Sequence, residues 1–294
     1  MTLPTPRTRF ILIETSHAGN VGGVARAMKV MGFDDLVLVR PRWSNVLRRE
    51  ETIQRASGAL DVLRNARVVE TLDEALEGMT HLCATAMVAR DFGPPTRTPR
   101  QHLGPLAQSR PQGVAFLFGS ERFGMSNDDV YRCHVALRIP TDPVFGSLNL
   151  ASAVQVIAYE WREAVGGWDH ESTTGPGHVP HPAKDGRGGR VGTAQTGEGT
   201  PPDRHPPSES PHGVVGQTGA FEVPATLADA RQIAGLLQHW EQSLIEIGFL
   251  DPQAPKKLMP RLQQVFNRAA LTPEEVHILR GVARQMTRHQ AEKG

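Results

Sequence analysis

Three segments of the chain combine glycine with polar side chains that could hold a phosphate or act on a hydroxyl group. Residues 14–26 read ETSHAGNVGGVAR, residues 117–124 read LFGSERFG, and residues 139–153 read IPTDPVFGSLNLASA. Each segment starts at the end of a short apolar run. Because the carboxyl ends of parallel strands meet at one edge of a sheet, the three segments are expected to form one site.

Each segment, considered alone, can be interpreted without the other two. The glycines before a helix in the first segment suit a phosphate, because free backbone N–H groups point outward there. The adjacent Glu121 and Arg122 are typical of a solvated ion pair. Ser147 or Asn149 could cap a helix. Capping explains one polar residue, but it does not explain three loops of the same design.

The spacing of residues disfavours two other kinds of site. The first segment lacks the GxGxxG pattern of dinucleotide-binding folds, and the second apolar run ends in Val39-Arg40-Pro41 rather than in an acid that could hold a ribose hydroxyl. A nicotinamide enzyme is therefore disfavoured. No metal site is predicted, because Cys83 and Cys133 form no CxxC pair and the five histidines between positions 170 and 212 are irregularly spaced.

The elements that must position these segments alternate in type. Six short apolar runs are predicted to be strands: residues 10–13, 36–39, 68–69, 81–86, 114–118 and 135–139. Three runs between or after them are predicted to be helices: residues 24–31, 72–76 and 148–161. Strands that alternate with helices predict an α/β fold with a mostly parallel sheet.

The chain is predicted to divide into three parts. Residues 1–165 form the α/β domain, and residues 166–222, rich in Gly, Pro, Ser and Thr, are predicted to be a disordered linker. Residues 223–294 return to apolar spacings of three and four, which predict a small domain of three helices. Its first helix is predicted to have Thr226 as N-cap and to end at Gly248, and its third to begin with a capping box at Thr272. The basic residues of this domain suit an acidic partner.

Composition sets further limits. A hydrophobic content of 39% supports a real core, and a net charge of +1 does not by itself indicate a nucleic-acid partner. No apolar run reaches the roughly 18 residues of a membrane span, and the first residues lack the apolar stretch of a secretory signal. We therefore expect a cytoplasmic protein without a membrane partner, with both cysteines buried as free thiols.

Taken in order, the motifs ETSHAGNVGGVARAM, LFGSERFGMS and IPTDPVFGSLNLASAVQVIAYE closely resemble those of SPOUT-class RNA methyltransferases of the TrmH family. The resemblance covers most of residues 8–165 and is nearest to the bacterial TrmJ type, the tRNA (cytidine/uridine-2′-O-)-methyltransferases. It extends to the C-terminal domain, where LLQHWEQSLIEIGFLDP and RLQQVFNRAALTPEEVHILRG resemble the helical extension of that type.

The resemblance implies a SPOUT fold with a trefoil knot in the C-terminal part of the sheet domain, S-adenosylmethionine as cofactor, a homodimer and tRNA as partner. The reaction it implies is methylation of the ribose 2′-OH of a pyrimidine, at position 32 of the anticodon loop. The positions that match the family's cofactor site are Thr85, Ala86, Met87, Gly119, Ile139, Gly146, Ser147 and Leu148. Arg26 matches the catalytic arginine, with Asn20 beside it, and the positions that match RNA contacts are Arg26, Glu121, Arg122 and Asn149.

The chemistry of arginine limits what Arg26 can do. A guanidinium has no practical basicity in a protein, so Arg26 is expected to orient the ribose and a phosphate and to stabilise the developing alkoxide. The proton would pass to a substrate phosphate oxygen, to water or to Glu121. Two alternatives stay open: a 2′-O-methyltransferase for rRNA or another tRNA position, and a non-catalytic RNA-binding protein of the same fold.

Overall fold

A seven-stranded sheet with only parallel pairings forms the centre of the protein in the computed structural model, which describes residues 6–86, 90–168 and 226–291. Its strands are β1 (Arg7–Ile13), β2 (Asp35–Val39), β3 (Arg67–Val69), β4 (His81–Thr85), β5 (Thr96–Arg97), β6 (Gly113–Phe118) and β7 (Val135–Leu137). They lie in the order β3-β2-β1-β6-β4-β7-β5. The first two glycine-containing segments therefore follow two neighbouring strands near the middle of the sheet, β1 and β6.

The helices of the N-terminal part are α1 (Ala18–Val30), α2 (Glu50–Ala56), α3 (Leu60–Asn65), α4 (Leu72–Leu76), α5 (Pro99–Gln108), α6 (Asn127–Tyr131) and α7 (Leu150–Ala164). The six predicted strands and three predicted helices are confirmed, with ends that shift by several residues. The sequence did not predict α2, α3, α5, α6 or β5, each of which is short or polar. The predicted linker, residues 166–222, falls outside the described residues from position 169 onward.

Helices cover both faces of the sheet, so the central strands are buried on both sides. In β1, Phe10 and Leu12 pack with Trp161 of α7 in one apolar layer, whereas Ile11 and Ile13 belong to the layer on the opposite face. Burial on both faces explains why the strands read as continuous apolar runs rather than as alternating patterns. The α/β class with a parallel sheet is confirmed. The trefoil knot stays a prediction.

The C-terminal part contains three helices: α8 (Ala230–Glu246), α9 (Leu258–Ala269) and α10 (Pro273–Ala291). The prediction of Thr226 as the N-cap is wrong, because the N-cap is Asp229, three residues later, and α8 begins at Ala230. The Asp229 side chain accepts a hydrogen bond from the Gln232 N–H at 2.8 Å, and the Asp229 N–H donates to Gln232 Oε1 at 2.9 Å. This reciprocal pair satisfies two backbone donors, which a threonine four residues before the helix cannot reach.

The remaining boundaries of these helices follow the predictions. Gly248 has a φ of 74° and ends α8. Thr272 and Glu275 exchange the two hydrogen bonds of a capping box before α10. Leu236 of α8, Phe266 of α9 and Val276 of α10 share one apolar core.

The C-terminal helices contact the α/β domain through backbone groups. The side-chain amides of Gln264 and Asn267, both on α9, donate to backbone carbonyls of residues 131–133. At the start of α8, the Ala230 N–H donates to the Met79 carbonyl at 2.9 Å. No helix among the described residues is both long and apolar enough to cross a membrane.

Candidate active site

The loops that follow β1, β6 and β7 meet at the carboxyl edge of the sheet, as the sequence predicts. The loop after β4 joins them there. Thr85 at the end of β4 donates from Oγ1 to the Leu117 carbonyl at 2.9 Å, and the Ala86 N–H donates to the Leu137 carbonyl at 3.1 Å. These bonds tie the end of β4 to both neighbouring strands.

Glu121, in the loop after β6, lies at the centre of the polar contacts between these loops. Its Oε1 accepts from Thr15 Oγ1 at 2.9 Å and from Asn20 Nδ2 at 2.8 Å. Its Oε2 accepts from both the N–H and the hydroxyl of Ser16, each at 2.8 Å. Burial alone would raise the pKa of Glu121, but the hydrogen bonds from Asn20 and Ser16 outweigh it and lower the pKa to about 2. The carboxylate is therefore ionised and held by four donors.

This arrangement corrects one interpretation of the second segment. Glu121 does not pair with Arg122, and the solvated ion pair suggested by their adjacency is absent from the salt bridges of the described residues. The Arg122 side chain is exposed, and its guanidinium carbon lies 5.7 Å from the centre of the Phe123 ring. Arg122 is thus free to meet a ligand, while Glu121 is engaged within the protein.

Asn20 and Asn149 extend the contacts to the third segment. Asn149 Nδ2 donates to Asn20 Oδ1 at 3.0 Å, while Asn149 Oδ1 accepts from the Ala151 N–H at 2.9 Å and so caps α7. The capping interpretation of Asn149 is correct but incomplete, because the same side chain also reaches the first segment. Because both ends of the Asn20 amide are bonded, its orientation is fixed. The chain Glu121–Asn20–Asn149 joins all three segments.

A cleft on the side of β4 and β7 contains five of the eight positions predicted to bind the cofactor: Thr85, Ala86, Ile139, Gly146 and Leu148. Leu137, Arg138, Thr141 and Ala153 complete its lining. A Cβ on Gly146 would lie 2.9 Å from the Asp142 carbonyl oxygen and 2.8 Å from Thr141 Oγ1, so a side chain there would force the loop to shift. Asp142 shapes the same loop by accepting from the N–H groups of Val144 and Phe145, both at 2.8 Å.

The other three predicted cofactor positions differ in their placement. Gly119 lies outside the cleft lining, in a tight turn where a Cβ would lie 2.2 Å from the carbonyl carbon of Gly124. Ser147 is exposed and also lies outside the lining. Met87 falls outside the described residues.

A second cavity, of about 430 Å³, opens beside the amide pair of Asn20 and Asn149. It is lined by His17, Gly19, Asn20, Gly23, Glu51, Arg55, Asn149 and Ala151. The sequence did not predict Glu51 or Arg55 at the site. Both belong to α2, a seven-residue helix without a clear apolar stripe, and no local spacing links them to residue 20.

Arg26 lies on α1, three residues and so about one turn beyond Gly23. Its side chain is exposed, and among the described residues its guanidinium forms neither a hydrogen bond nor a salt bridge. The structure thus brings Asn20, Glu121 and Asn149 together and leaves the guanidinium of Arg26 available for a ligand.

Comparison with known proteins gives matches over both parts of the chain. Residues 7–159 match the SpoU rRNA Methylase family, and residues 231–294 match the family described as tRNA methyltransferase TrmJ, C-terminal domain. The chain is 37% identical to the tRNA (cytidine/uridine/adenosine-2′-O-)-methyltransferase TrmJ of Pseudomonas aeruginosa over 283 residues, which cover 94% of this chain and 92% of that protein.

Further relatives agree with these matches. The tRNA (cytidine/uridine-2′-O-)-methyltransferase TrmJ of Klebsiella pneumoniae is 36% identical over 275 residues, which cover 93% of each chain. The crystal structure of TrmJ from Z. mobilis ZM4 superposes with a TM-score of 0.68 at 27% identity, and the match covers 96% of this chain and 99% of that one.

Proposed function

This chain belongs to the SpoU rRNA methylase family and carries a C-terminal domain of the TrmJ type, and from this we propose that it methylates the ribose 2′-OH of a pyrimidine in tRNA. The proposed methyl donor is S-adenosylmethionine, and the proposed target is position 32 of the anticodon loop. The relatives named as tRNA 2′-O-methyltransferases support tRNA over rRNA as substrate, because they match along almost the whole chain. A tRNA substrate would place the protein in the cytoplasm.

The observation that carries this proposal is the chain Glu121–Asn20–Asn149, which joins the three glycine-containing segments next to the cleft. The cleft suits S-adenosylmethionine because apolar side chains and backbone groups can enclose a flat base, while Thr85 and Thr141 offer hydroxyls. Ala86, Ile139, Gly146 and Leu148 would hold the nucleoside, and Met87, Gly119 and Ser147 are proposed as further contacts. When bound, this cofactor supplies a methyl group on a sulfonium, ready for displacement.

The protein's own residues would position the acceptor. We assign Asn20 a positioning role, because its amide is fixed between Glu121 and Asn149. Arg26 would orient the ribose and a phosphate and stabilise the negative charge that develops on the 2′ oxygen. Arg122 and Asn149 would contact the RNA. Holding donor and acceptor in line lowers the barrier of a displacement without any covalent intermediate.

The environment of Glu121 narrows the route of the proton. Glu121 was one of three acceptors that the sequence left open, but a carboxylate with a pKa of about 2 and four bound donors is a poor base near neutral pH. We therefore propose that the 2′-OH proton passes to a substrate phosphate oxygen or to water. Glu121 serves to orient Asn20 rather than to contact RNA.

Single-turnover methylation of a tRNA transcript tests the role of Arg26. Arg26→Lys keeps the positive charge but loses the planar fork of donors, so the rate is expected to fall about 100-fold. Arg64→Lys, at an exposed position on α3, is the matched control and is expected to keep the normal rate. A near-normal rate for Arg26→Lys would contradict the proposed role.

The substrate is tested separately. Mapping of methylated ribose in tRNA from a deletion strain is expected to show loss of methylation at position 32, and its persistence there would overturn the specific assignment. Isothermal titration with S-adenosylmethionine tests the alternative of a non-catalytic RNA-binding protein, which requires no cofactor affinity.

We also propose that the protein acts as a homodimer. Phe123 is 83% exposed, Val144 93% and Phe145 85%, and all three lie in the loops that form the site. Exposed apolar side chains next to a site suit an interface, and a second copy would cover them. Sedimentation velocity is expected to show a dimer for the native chain and a monomer for Val144→Ser combined with Phe145→Ser. A native monomer would contradict this proposal.

A further inference from the structure

Three histidines and a cysteine lie together at the amino end of β4, the end opposite to Thr85. His81 is the first residue of β4, His102 lies on α5, and His134 immediately precedes β7. The Nε2 atoms of His81 and His102 are 3.0 Å apart. Cys83 lies two residues after His81 and so on the same face of the strand.

We propose that His81, Cys83 and His102 bind one divalent transition-metal ion of the Zn²⁺ class. One ligand atom from each residue lies within 4.8 Å of the other two. Two imidazole nitrogens and a thiolate are ligands that zinc prefers, and three protein ligands leave a fourth tetrahedral position for water. The prediction of no metal site rested on the lack of CxxC pairs and on the irregular spacing of the histidines after position 169. It did not extend to His81, Cys83 and His102.

The geometry needs only a small adjustment to hold such an ion. Tetrahedral zinc places two nitrogen ligands about 3.4 Å apart and a nitrogen and a sulfur about 3.6 Å apart. The two Nε2 atoms, now 3.0 Å apart, must therefore separate by a few tenths of an ångström, and the sulfur, within 4.8 Å of the nitrogens, must approach by at most about 1.2 Å. In the proposed site, rotations of the side chains would supply both movements.

Metal binding changes the protonation of the three ligands, and every proton can be accounted for. Each imidazole would bind the ion in its neutral form, through the lone pair of a ring nitrogen. The ring that donates in the His81–His102 hydrogen bond must move its proton from Nε2 to Nδ1. Cys83 would bind as a thiolate, so metal binding releases the thiol proton to solvent. The net change is one proton released for each ion bound.

His134 supports the site without serving as a ligand. Its Nδ1 accepts from the Leu82 N–H at 3.1 Å, which places its ring proton on Nε2. Its ring packs on His81 with centroids 4.5 Å apart. This contact restricts the rotation of His81 and keeps its Nε2 directed at His102.

The position indicates a structural rather than a catalytic ion. None of the three ligands lines the cleft, and the two imidazoles lie at the amino end of β4, opposite to Thr85. An ion shared by β4 and α5 would join the helix to the sheet, and binding to the folded state alone stabilises that state. The proposal is independent of the proposed methyltransferase function.

Cobalt titration of the full-length, tag-free protein after treatment with a chelator tests the site. We expect saturation at one Co²⁺ per chain, with a near-ultraviolet sulfur-to-cobalt band and visible bands of tetrahedral intensity, both removed by added Zn²⁺. Zn²⁺ at about 100 times its dissociation constant is expected to raise the Tm by about 5 °C or more.

Two variants locate the ion. Cys83→Ser should remove the sulfur-to-cobalt band, and His102→Asn, at a partly exposed helical position, should weaken binding by about 100-fold or more. His277→Asn, on the exposed face of α10, is the matched control and should bind as the native chain does. The Tm of each metal-free variant reports whether it folds, and His102→Asn decides the matter if Cys83→Ser does not fold. Absence of binding at one ion per chain, or unchanged binding in His102→Asn, would overturn the proposal.

Discussion

Replacement of Glu121 by glutamine should destabilise the protein and disorganise the site, although the shape of the side chain hardly changes. In the native protein each carboxylate oxygen of Glu121 accepts from two donors, and one donor of each pair is fixed in place. The fixed donors are the Asn20 amide on Oε1 and the Ser16 backbone N–H on Oε2. An amide has only one oxygen, so its NH₂ group must face one of these fixed donors. At least one hydrogen bond to a charged acceptor is lost, and a donor is placed against a donor.

The size of the effect follows from the pKa of Glu121. A fall in the pKa from 4.5 to about 2 corresponds to about 3 kcal/mol of stabilisation of the charged form. Because the side chain is only half-buried, solvent screens part of this energy, and we expect Glu121→Gln to lower the free energy of unfolding by about 1–2 kcal/mol. Asn20 loses its fixed orientation in the same variant, so kcat for methylation should fall by about 100-fold.

The pH dependence gives this prediction a distinctive signature. Glu121 has a folded-state pKa below its unfolded value, so its stabilisation is complete above about pH 4.5 and is lost as the pH falls toward 2. Urea unfolding of the native and Glu121→Gln proteins at pH 7 should therefore show the full difference in free energy. At pH 3 more than half of that difference should have disappeared.

A matched control separates this effect from the general loss of a surface carboxylate. Glu77 pairs with Arg231 at 3.5 Å, and both side chains are largely exposed. Glu77→Gln should change the free energy of unfolding by less than about 0.5 kcal/mol. Equal stability of Glu121→Gln and the native protein at pH 7, or a difference that stays constant down to pH 3, would refute the reasoning.

Three further substitutions test other parts of the structure. Asn149→Ala removes the cap of α7 and should lower the free energy of unfolding by about 1 kcal/mol in urea, with normal stability as the contrary result. Gly119→Ala places a Cβ 2.2 Å from the carbonyl carbon of Gly124 and should weaken S-adenosylmethionine binding at least about 10-fold by calorimetry. Gly104→Ala, within α5 and with no atom within 4 Å of the added Cβ, is its control and should stabilise by roughly 0.5 kcal/mol. Asp229→Ala removes the cap of α8 and should destabilise by about 1–2 kcal/mol in urea, whereas an unchanged midpoint would show that the cap is dispensable.

The strands could be predicted from the sequence because they are buried on both faces. A continuous apolar run such as that of β6 identifies a buried strand without any knowledge of the strands beside it. The helices α2 and α3 leave no such signal, since they have seven and six residues and bury only part of one face. In α5, Gly104 and Pro105 interrupt the helical pattern, so its ten residues read as a loop.

The position of the site could also be predicted, but its internal contacts could not. The carboxyl ends of parallel strands lie at one edge of a sheet, so the meeting of the three loops could be predicted without knowing any distance between residues. The bonds of Glu121 depend on donors 101 to 106 residues earlier in the chain, which no local pattern specifies. The same holds for Arg55, whose approach to Asn149 depends on how α2 packs. A pattern read along the chain shows which residues end a strand, and packing alone decides which of them touch.

The chain Glu121–Asn20–Asn149 has a consequence for how these proteins diverge. Its members lie 101 and 129 residues apart along the chain, yet each satisfies a polar group of another. A mutation at Glu121 or Asn149 leaves a group of Asn20 unmatched, and a mutation at Asn20 leaves a group unmatched on both partners, so each is tolerated in a lineage only together with a compensating change. The three segments, although distant in sequence, are thus expected to evolve together. Related sequences should change at these positions in concert or not at all.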